Sequence, residues 1–485
     1  MKNVKSILVA GGGTAGLISA IILKKKLDIK IDVVHSKNIG IIGVGEGSTE
    51  HWKEFMQFVG IDQYTLIKET NATFKVGILF EKWGSKDYLH SVASPLDVKT
   101  GQYHHVYAKM IADNISPMSP QSFWKSQINK NLLNHVDGFP ANQFHFDTHK
   151  LNDFLIRIAK SIGINVFEDD IIDVSLDPEG NIDNVLGEKR EYKYDFYIDS
   201  TGFKRMLISK VGGKWKSYSK YLKMKSAITF QTPDADNYNF WTLARAMDYG
   251  WMFRIPVWGR YGNGYIFDSD YIDADQATRE VEQLLQQSVD VKKTFNFDPG
   301  ALEQCWIKNC CAIGVSANFV EPLEASSIGT TIQQAFLLMH RISKYDDTVI
   351  KNYNKSVNDI MENIRDFICL HYITDNQSTD FWKDIKSMQI PDTLQSKLEL
   401  WKHRLPIRED YNNLSDYILF RESNFIMVMD GLNLFNRESI REEYESLQDS
   451  IKQQANQIVS IHQQGDSNLN TIPHKAFIKL IREYL

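Results

Sequence analysis

The sequence predicts an α/β fold that opens with a Rossmann-type β-α-β unit. Three observations carry that expectation. The apolar run Ser6–Ala10 (SILVA) ends in glycines, as a buried parallel strand does. Strand-like segments recur between residues 72 and 267. From about residue 328 onward the pattern is mostly helical.

Each element follows from its local pattern. After the glycines, Leu17, Ile21 and Ile22 mark a helix, and residues 31–34 (IDVV) form the next strand. Such a unit can be joined by strands from far along the chain. Residues 72–80 (ATFKVGILF) alternate, with Phe74, Val76, Ile78 and Phe80 on one face. Thr73, Lys75, Gly77 and Leu79 share the other face, so one strand is expected here, with Lys75 turned away from its apolar side. Residues 149–160 predict a helix, and 165–184 predict strands around a DPEGN turn. Residues 194–199 (YDFYID) form another strand, closed by STG. Residues 251–256 and 264–267 flank GRYGN, which reads as a hairpin. Ile328, Ile332, Ala335, Met339 and Ile342 hold one face of the first late helix. No internal repeat is present.

Bulk properties narrow the function. A chain of 485 residues with 43% hydrophobic content can bury a large core and suggests two or three domains. A net charge of -6 is too small and too mixed to predict nucleic-acid or membrane binding. The lysine-rich stretch between Lys204 and Lys225 reads as a solvated face. The four cysteines, Cys305, Cys310, Cys311 and Cys369, include no C-x-x-C pair. Neither a metal site nor a disulfide framework is expected, and a reducing, cytoplasmic setting is the default. The N-terminal run resembles a signal peptide in charge and apolarity, but its glycines mark it as structure. No apolar run reaches the length of a membrane span. The state of assembly, monomer or homo-oligomer, is not encoded legibly.

Gly11, Gly13 and Gly16, with Thr14 and Ala15 between, spell G-x-G-x-x-G between a strand and a helix. Glycine permits the tight turn and the close approach of a pyrophosphate to the helix N-terminus. The alternative is a glycine-rich turn without a ligand. The acid expected about 20 residues later for a ribose is absent, and His35 or Ser36 stands at the end of the second strand. Gly43, Val44, Gly45 and Glu46 form a second glycine-rich stretch, either a flexible turn or a loop over a cofactor ring. Residues 318–329 (NFVEPLEASSIG) combine Glu321, Glu324, Ser326 and Ser327 with a helix start. Such a segment can cap a helix or seat an anion beside a carboxylate.

The ordered set GGGTAG, GVGEGS, FKVGILFEKW, GWMFRIP and FVEPLEASSI resembles the flavin-dependent halogenases of the tryptophan-halogenase type. DFYIDSTGFKRMLI and LHYITDNQSTDFW also look like segments of that family. The resemblance implies an FAD-binding, aromatic-hydroxylase-like fold with a mixed substrate-side sheet and a mainly helical C-terminal part. It assigns residues 1–340 to the core with an intertwined substrate sheet, and 341–485 to a helical region completing the substrate site. It implies reduced FAD (FADH2) from a separate flavin reductase, with O2 and chloride, bromide or iodide as co-substrates. In that scheme a flavin hydroperoxide oxidises halide to hypohalous acid, which passes to a lysine beside an electron-rich aromatic.

Carried over residue by residue, Lys75 matches the lysine and Glu324 the carboxylate. Gly11, Gly13, Thr14, Ala15, Gly16, Gly43, Val44, Gly45 and Glu46 match cofactor-binding positions. Ser326 and Ser327 match the halide seat, and Glu321 is read as a structural or solvated acid. Trp251, Phe253 and Pro256 stand in the family's W-x-W-x-I-P flavin shield, with Phe253 in place of the second tryptophan. His90 and Phe425 fall on the substrate side, where the pattern departs furthest. That departure favours a phenol, an indole or another electron-rich ring over free tryptophan. A flavin monooxygenase that hydroxylates aromatics would share the first loop but need neither Lys75 nor Glu324. A silent flavin-binding protein would be free to lose both. A plain nicotinamide dehydrogenase explains only the first loop.

Overall fold

The structure is a computed structural model that describes residues 2–38, 40, 46–91, 104–117, 132–134, 143–464 and 471–484. The elements that position the site begin with β1 (Ser6–Ala10), α1 (Thr14–Lys26), β2 (Lys30–His35), β3 (Glu46–Gly47) and β4 (Thr73–Lys75). Next come β5 (Gly77–Glu81), β6 (Tyr88–His90), β7 (Gln143–Phe146), α2 (Thr148–Ser161), β8 (Asn165–Glu168) and β9 (Phe196–Asp199). The middle of the chain gives β10 (Ser226–Pro233), β11 (Trp241–Met247), β12 (Gly250–Val257), β13 (Arg260–Phe267) and β14 (Val291–Asn296). Then follow β15 (Trp306–Ile307), β16 (Cys310–Ala312), α3 (Ser326–Met339), α4 (Asp347–His371) and α5 (Glu422–Gly431).

The first sheet runs β8-β2-β1-β9-β16-β15, parallel except for the last pair. Ile7, Leu8, Val9 and Ala10 are fully buried, as a central parallel strand requires. α1 buries Leu17, Ile18, Ile21 and Ile22 and packs against α2 and α3. Its last turn carries Lys24, Lys25 and Lys26, where cations meet the negative end of the helix dipole. This is the expected β-α-β unit, joined by strands from three later parts of the chain.

The second sheet runs β14-β10-β13-β12-β11-β5-β6. It is mixed, because β5 and β11 pair in parallel while the others are antiparallel. A small antiparallel sheet, β3-β7-β4, lies beside it. The expected helix at 149–160 is α2, and the DPEGN turn joins the strands Ile171–Leu176 and Ile182–Gly187.

Three local expectations change. Residues 72–80 are two strands: Val76 leaves the ladder and its N–H donates to Phe240 O at 2.7 Å. β4 then pairs with β7, while β5 pairs with β11 and β6. The GRYGN loop is mostly strand, since Tyr261 pairs with Pro256 and Asn263 with Arg254. Only Trp258 and Gly259 turn, with Gly259 at φ +89. α3 starts at Ser326, two residues earlier than its apolar face suggests. All five residues of that face are buried. Cys305, Cys310, Cys311 and Cys369 are buried free thiols. Among the described residues no helix is long and apolar enough to cross a membrane.

Candidate active site

The nucleotide loop has the geometry its glycines predict. Gly11 sits at φ +114, and a Cβ there would lie 2.1 Å from Ser200 O. A Cβ at Gly16 would lie 1.9 Å from Gly11 O. Both positions exclude any side chain. Among the described residues, a Cβ at Gly13 would meet nothing within 4 Å, so nothing described blocks the helix N-terminus. Among the same residues no side chain caps α1, and the buried Thr14 hydroxyl has no partner. Ala15 closes on Gly314, which sits at φ +72. Unpaired N–H groups, an orphan hydroxyl and a cleared approach fit a dinucleotide pyrophosphate. His35 packs against Gly12, and burial lowers its imidazole. Gly43, Val44 and Gly45 lie outside the described residues. Glu46 follows them in β3, and burial pushes its carboxyl up to about 7.

Lys75 ends β4 and is fully buried, which excludes a solvent-facing lysine. The break at Val76 allows this, because Lys75 pairs within the small sheet while Gly77 begins the strand in the large one. Its Nζ donates to Ser48 O at 2.8 Å. Ser48 belongs to a strap, residues 46–51, that crosses the start of α3. Gly47 is the wedge: its Cβ would lie 3.5 Å from Lys75 Nζ and 3.4 Å from Ala325 Cβ. Burial lowers the Lys75 ammonium to about 8, against the opposing pull of Glu324 and Glu50. The penalty on the charged form is about 3 kcal/mol. Gln143 pairs with Lys75 across the ladder, and among the described residues its buried amide has no partner. Directly opposed residues share a face, so that amide stands beside the lysine.

Glu324 is also fully buried. His90 Nδ1 donates to its Oε2 at 2.8 Å. His371 Nε2, at the end of α4, lies 2.8 Å from its Oε1, as an ion pair outside hydrogen-bond direction. Burial alone would raise the Glu324 carboxyl, but His90 and His371 outweigh it and hold it at about 2. Glu50 sits on the strap, and burial pushes its carboxyl up to about 7. Asn424 of α5 reaches His90 Nε2 at 3.2 Å. Beside the strap a cleft of about 800 Å³ opens, lined by Glu50, His51, Arg408, Arg421 and Asn424 among others.

Ser326, which is buried, and Ser327, which is exposed, open α3. Among the described residues no side chain caps this helix, so of the two readings the sequence allowed, neither the acids nor the serines supply a cap. The first-turn N–H groups are left without an intrahelical acceptor. The preceding Ala325 holds a left-handed φ of 52, a strained conformation for a residue with a Cβ. Glu321 is buried, not solvated: its Oε2 accepts from Trp251 Nε1 at 2.7 Å and from the Tyr372 hydroxyl. Burial pushes its carboxyl up to about 7. From Trp251, β12 runs past Phe253 to Pro256, whose carbonyl accepts from Thr73 Oγ1 at 2.7 Å. Phe425 is fully buried and packs on Phe367, Trp401 and Tyr411.

Lys75, Glu324 and His90 thus converge on the strap and the start of α3. Phe425 stays one layer back, and its neighbour Asn424 makes the contact. Sequence reasoning missed His371, Asn424, Gln143, Ser48 and Glu50. His371 does lie inside LHYITDNQSTDFW, the only signal available for it.

The tryptophan halogenase family matches residues 6–445. A tryptophan 7-halogenase from Lentzea aerocolonigenes is 28% identical, covering 89% of this chain and 90% of its own. A 7-chloro-L-tryptophan 6-halogenase from Kutzneria sp. (strain 744) is 30% identical, over 85% and 88%. The solved structure of a flavin-dependent halogenase from Xanthomonas campestris superposes with a TM-score of 0.82 at 29% identity, covering 99% of this chain and 98% of that one. The chain belongs to the tryptophan halogenase family and is an enzyme of the flavin-dependent halogenase type.

Proposed function

We propose that the protein halogenates an electron-rich aromatic small molecule of the phenol or indole type, through Lys75 and Glu324. The carrying observation is a buried lysine, held at about 8, one glycine away from the segment that bears a buried carboxylate. Gly11, Gly13, Thr14, Ala15, Gly16 and Glu46 would hold FAD, together with the loop at Gly43, Val44 and Gly45. Bound reduced FAD, renewed by a separate reductase, supplies with O2 the oxidising power that converts halide to hypohalous acid. The uncapped N–H groups of Ser326 and Ser327 seat the halide, where a helix start favours an anion. Trp251, Phe253 and Pro256 keep the aromatic substrate away from the flavin. Gly47 leaves the gap between the halide seat and the lysine.

Lys75 works as an ammonium, the form that prevails below about pH 8. It donates a hydrogen bond to hypohalous acid, polarising the O–X bond toward the ring, and Gln143 offers a second amide to the same oxygen. Glu324 faces the developing cation and receives the ring proton. His90 and the helical region, through Asn424, border the substrate, which enters by the cleft beside Glu50. The charged residues Glu50, Arg408 and Arg421 suit a substrate with a polar substituent. The test supplies FAD, a reductase, O2 and each halide over a panel of phenols and indoles, read by product mass. Halogenated product is expected from at least one halide. Hydroxylated product alone would replace this reading with the monooxygenase.

A further inference from the structure

Two imidazoles, His90 and His371, flank the buried Glu324 carboxylate. His371 Nδ1 lies 2.8 Å from the Phe367 carbonyl oxygen, which can only accept, so Nδ1 carries a hydrogen. Nε2 then lies 2.8 Å from Glu324 Oε1, off hydrogen-bond direction. Among the described residues that buried carboxylate oxygen has no hydrogen-bond partner, and a neutral ring would leave it without a compensating charge. A proton on Nε2 makes the ring an imidazolium and supplies that charge. His90 differs. The Asn424 Oδ1 accepts from Arg421 N–H at 2.9 Å, which turns the Asn424 amide nitrogen toward His90 Nε2. Nε2 therefore accepts, and His90 carries its single hydrogen on Nδ1, donated to Glu324.

We propose that His371 is a positioning residue for the halogenation, an imidazolium hydrogen-bonded to the Phe367 carbonyl and charge-paired with Glu324, that keeps Glu324 an ionised acceptor for the ring proton. This rests on the site proposed above. In that step the C–X bond forms as the O–X bond of hypohalous acid breaks, releasing hydroxide. The C–H electron pair returns to the ring, and the proton passes to Glu324. The hydroxide then takes that proton to give water. His371 keeps its own proton throughout, so Glu324 ends as it began. The depressed Glu324 carboxyl agrees with a cation beside it. Around the cluster stand His90 and Tyr88 from β6, Lys75 from β4 and Glu50 from the strap. Phe80 and Phe367 cover the His371 ring at centroid distances of 4.7 and 5.0 Å.

Nitrogen-15 NMR of the histidine-labelled full chain tests the proton directly, with His371→Gln assigning the signal. Two N–H groups on His371 and one, at Nδ1, on His90 are expected. The spectrum needs neither flavin nor halide, so it stands apart from the halogenation reading. Should His371→Gln not fold, Glu324→Gln serves for assignment, since Glu324 touches both rings. Where His371→Gln folds, its kcat falls at least tenfold at pH 6 and recovers as pH rises, with KM for the aromatic unchanged. A structural role alone would lower kcat at every pH. A bare His371 Nε2, or an acid limb equal to that of the wild type, would overturn the proposal.

Discussion

Lys75 carries a positive charge in a place that penalises it by about 3 kcal/mol. It is retained there by Ser48 O and by the two carboxylates that pull against burial. Lys75→Ala leaves the nucleotide loop untouched. It should lower halogenation by about 10²- to 10⁴-fold while FAD binding and flavin oxidation continue. Product formed per flavin oxidised measures the difference. In the proposed mechanism the working form is the ammonium, and burial depresses its value. Halogenation should therefore decline as pH rises through about 8, where an exposed lysine would hold its charge to above 10. A pH profile of the single-turnover rate reads this directly. At this scale the residues alone offered only a solvent-facing lysine on an amphipathic strand. Alternation states which side chains share a face, but not what covers that face.

Elements decide where such residues end up. The break at Val76 hands β4 to one sheet and β5 to another, and the partner strands that impose it, β7 and β11, lie about 70 and 165 residues away. No local pattern contains that information. The glycine loop was legible because its constraint is local: Gly11 needs φ > 0 and Gly16 needs close approach. Gly11→Ala should abolish tight FAD binding, since the new Cβ meets the Ser200 carbonyl. Titrating the protein with FAD and following flavin fluorescence checks this. Glu321 joins β12 to the residue after α4 through Trp251 and Tyr372. Folded, it binds a proton below about 7; unfolded, only below its ordinary value of 4.5. Between those values the folded state holds more protons, so stability falls as pH rises. Glu321→Gln should remove that share of the slope, up to about 3 kcal/mol across the window. Thermal unfolding of both proteins from pH 4.5 to 7 gives the comparison.

On the scale of the molecule, the site is assembled from β4, the strap at 46–51, β6, the start of α3, the end of α4 and the start of α5. The motifs FKVGILFEKW and FVEPLEASSIG pointed to Lys75 and Glu324 through their resemblance to the family, not through their local pattern alone. His371, Gln143 and Asn424 were not legible. A histidine at a helix end or a glutamine at a strand start becomes meaningful only when the fold sets it against a charged partner. The side-chain cap that the sequence allowed at α3 is absent among the described residues for a related reason, since Ala325 takes the turn and carries no acceptor. The proposed function is that these pieces together transfer halogen to an aromatic ring. Its most direct test is product mass from the full chain with FAD, a reductase, O2 and chloride, bromide or iodide over phenols and indoles. A ring hydrogen replaced by halogen is expected, and its loss in Lys75→Ala. Hydroxylated product with no halogenated product from any halide would contradict it.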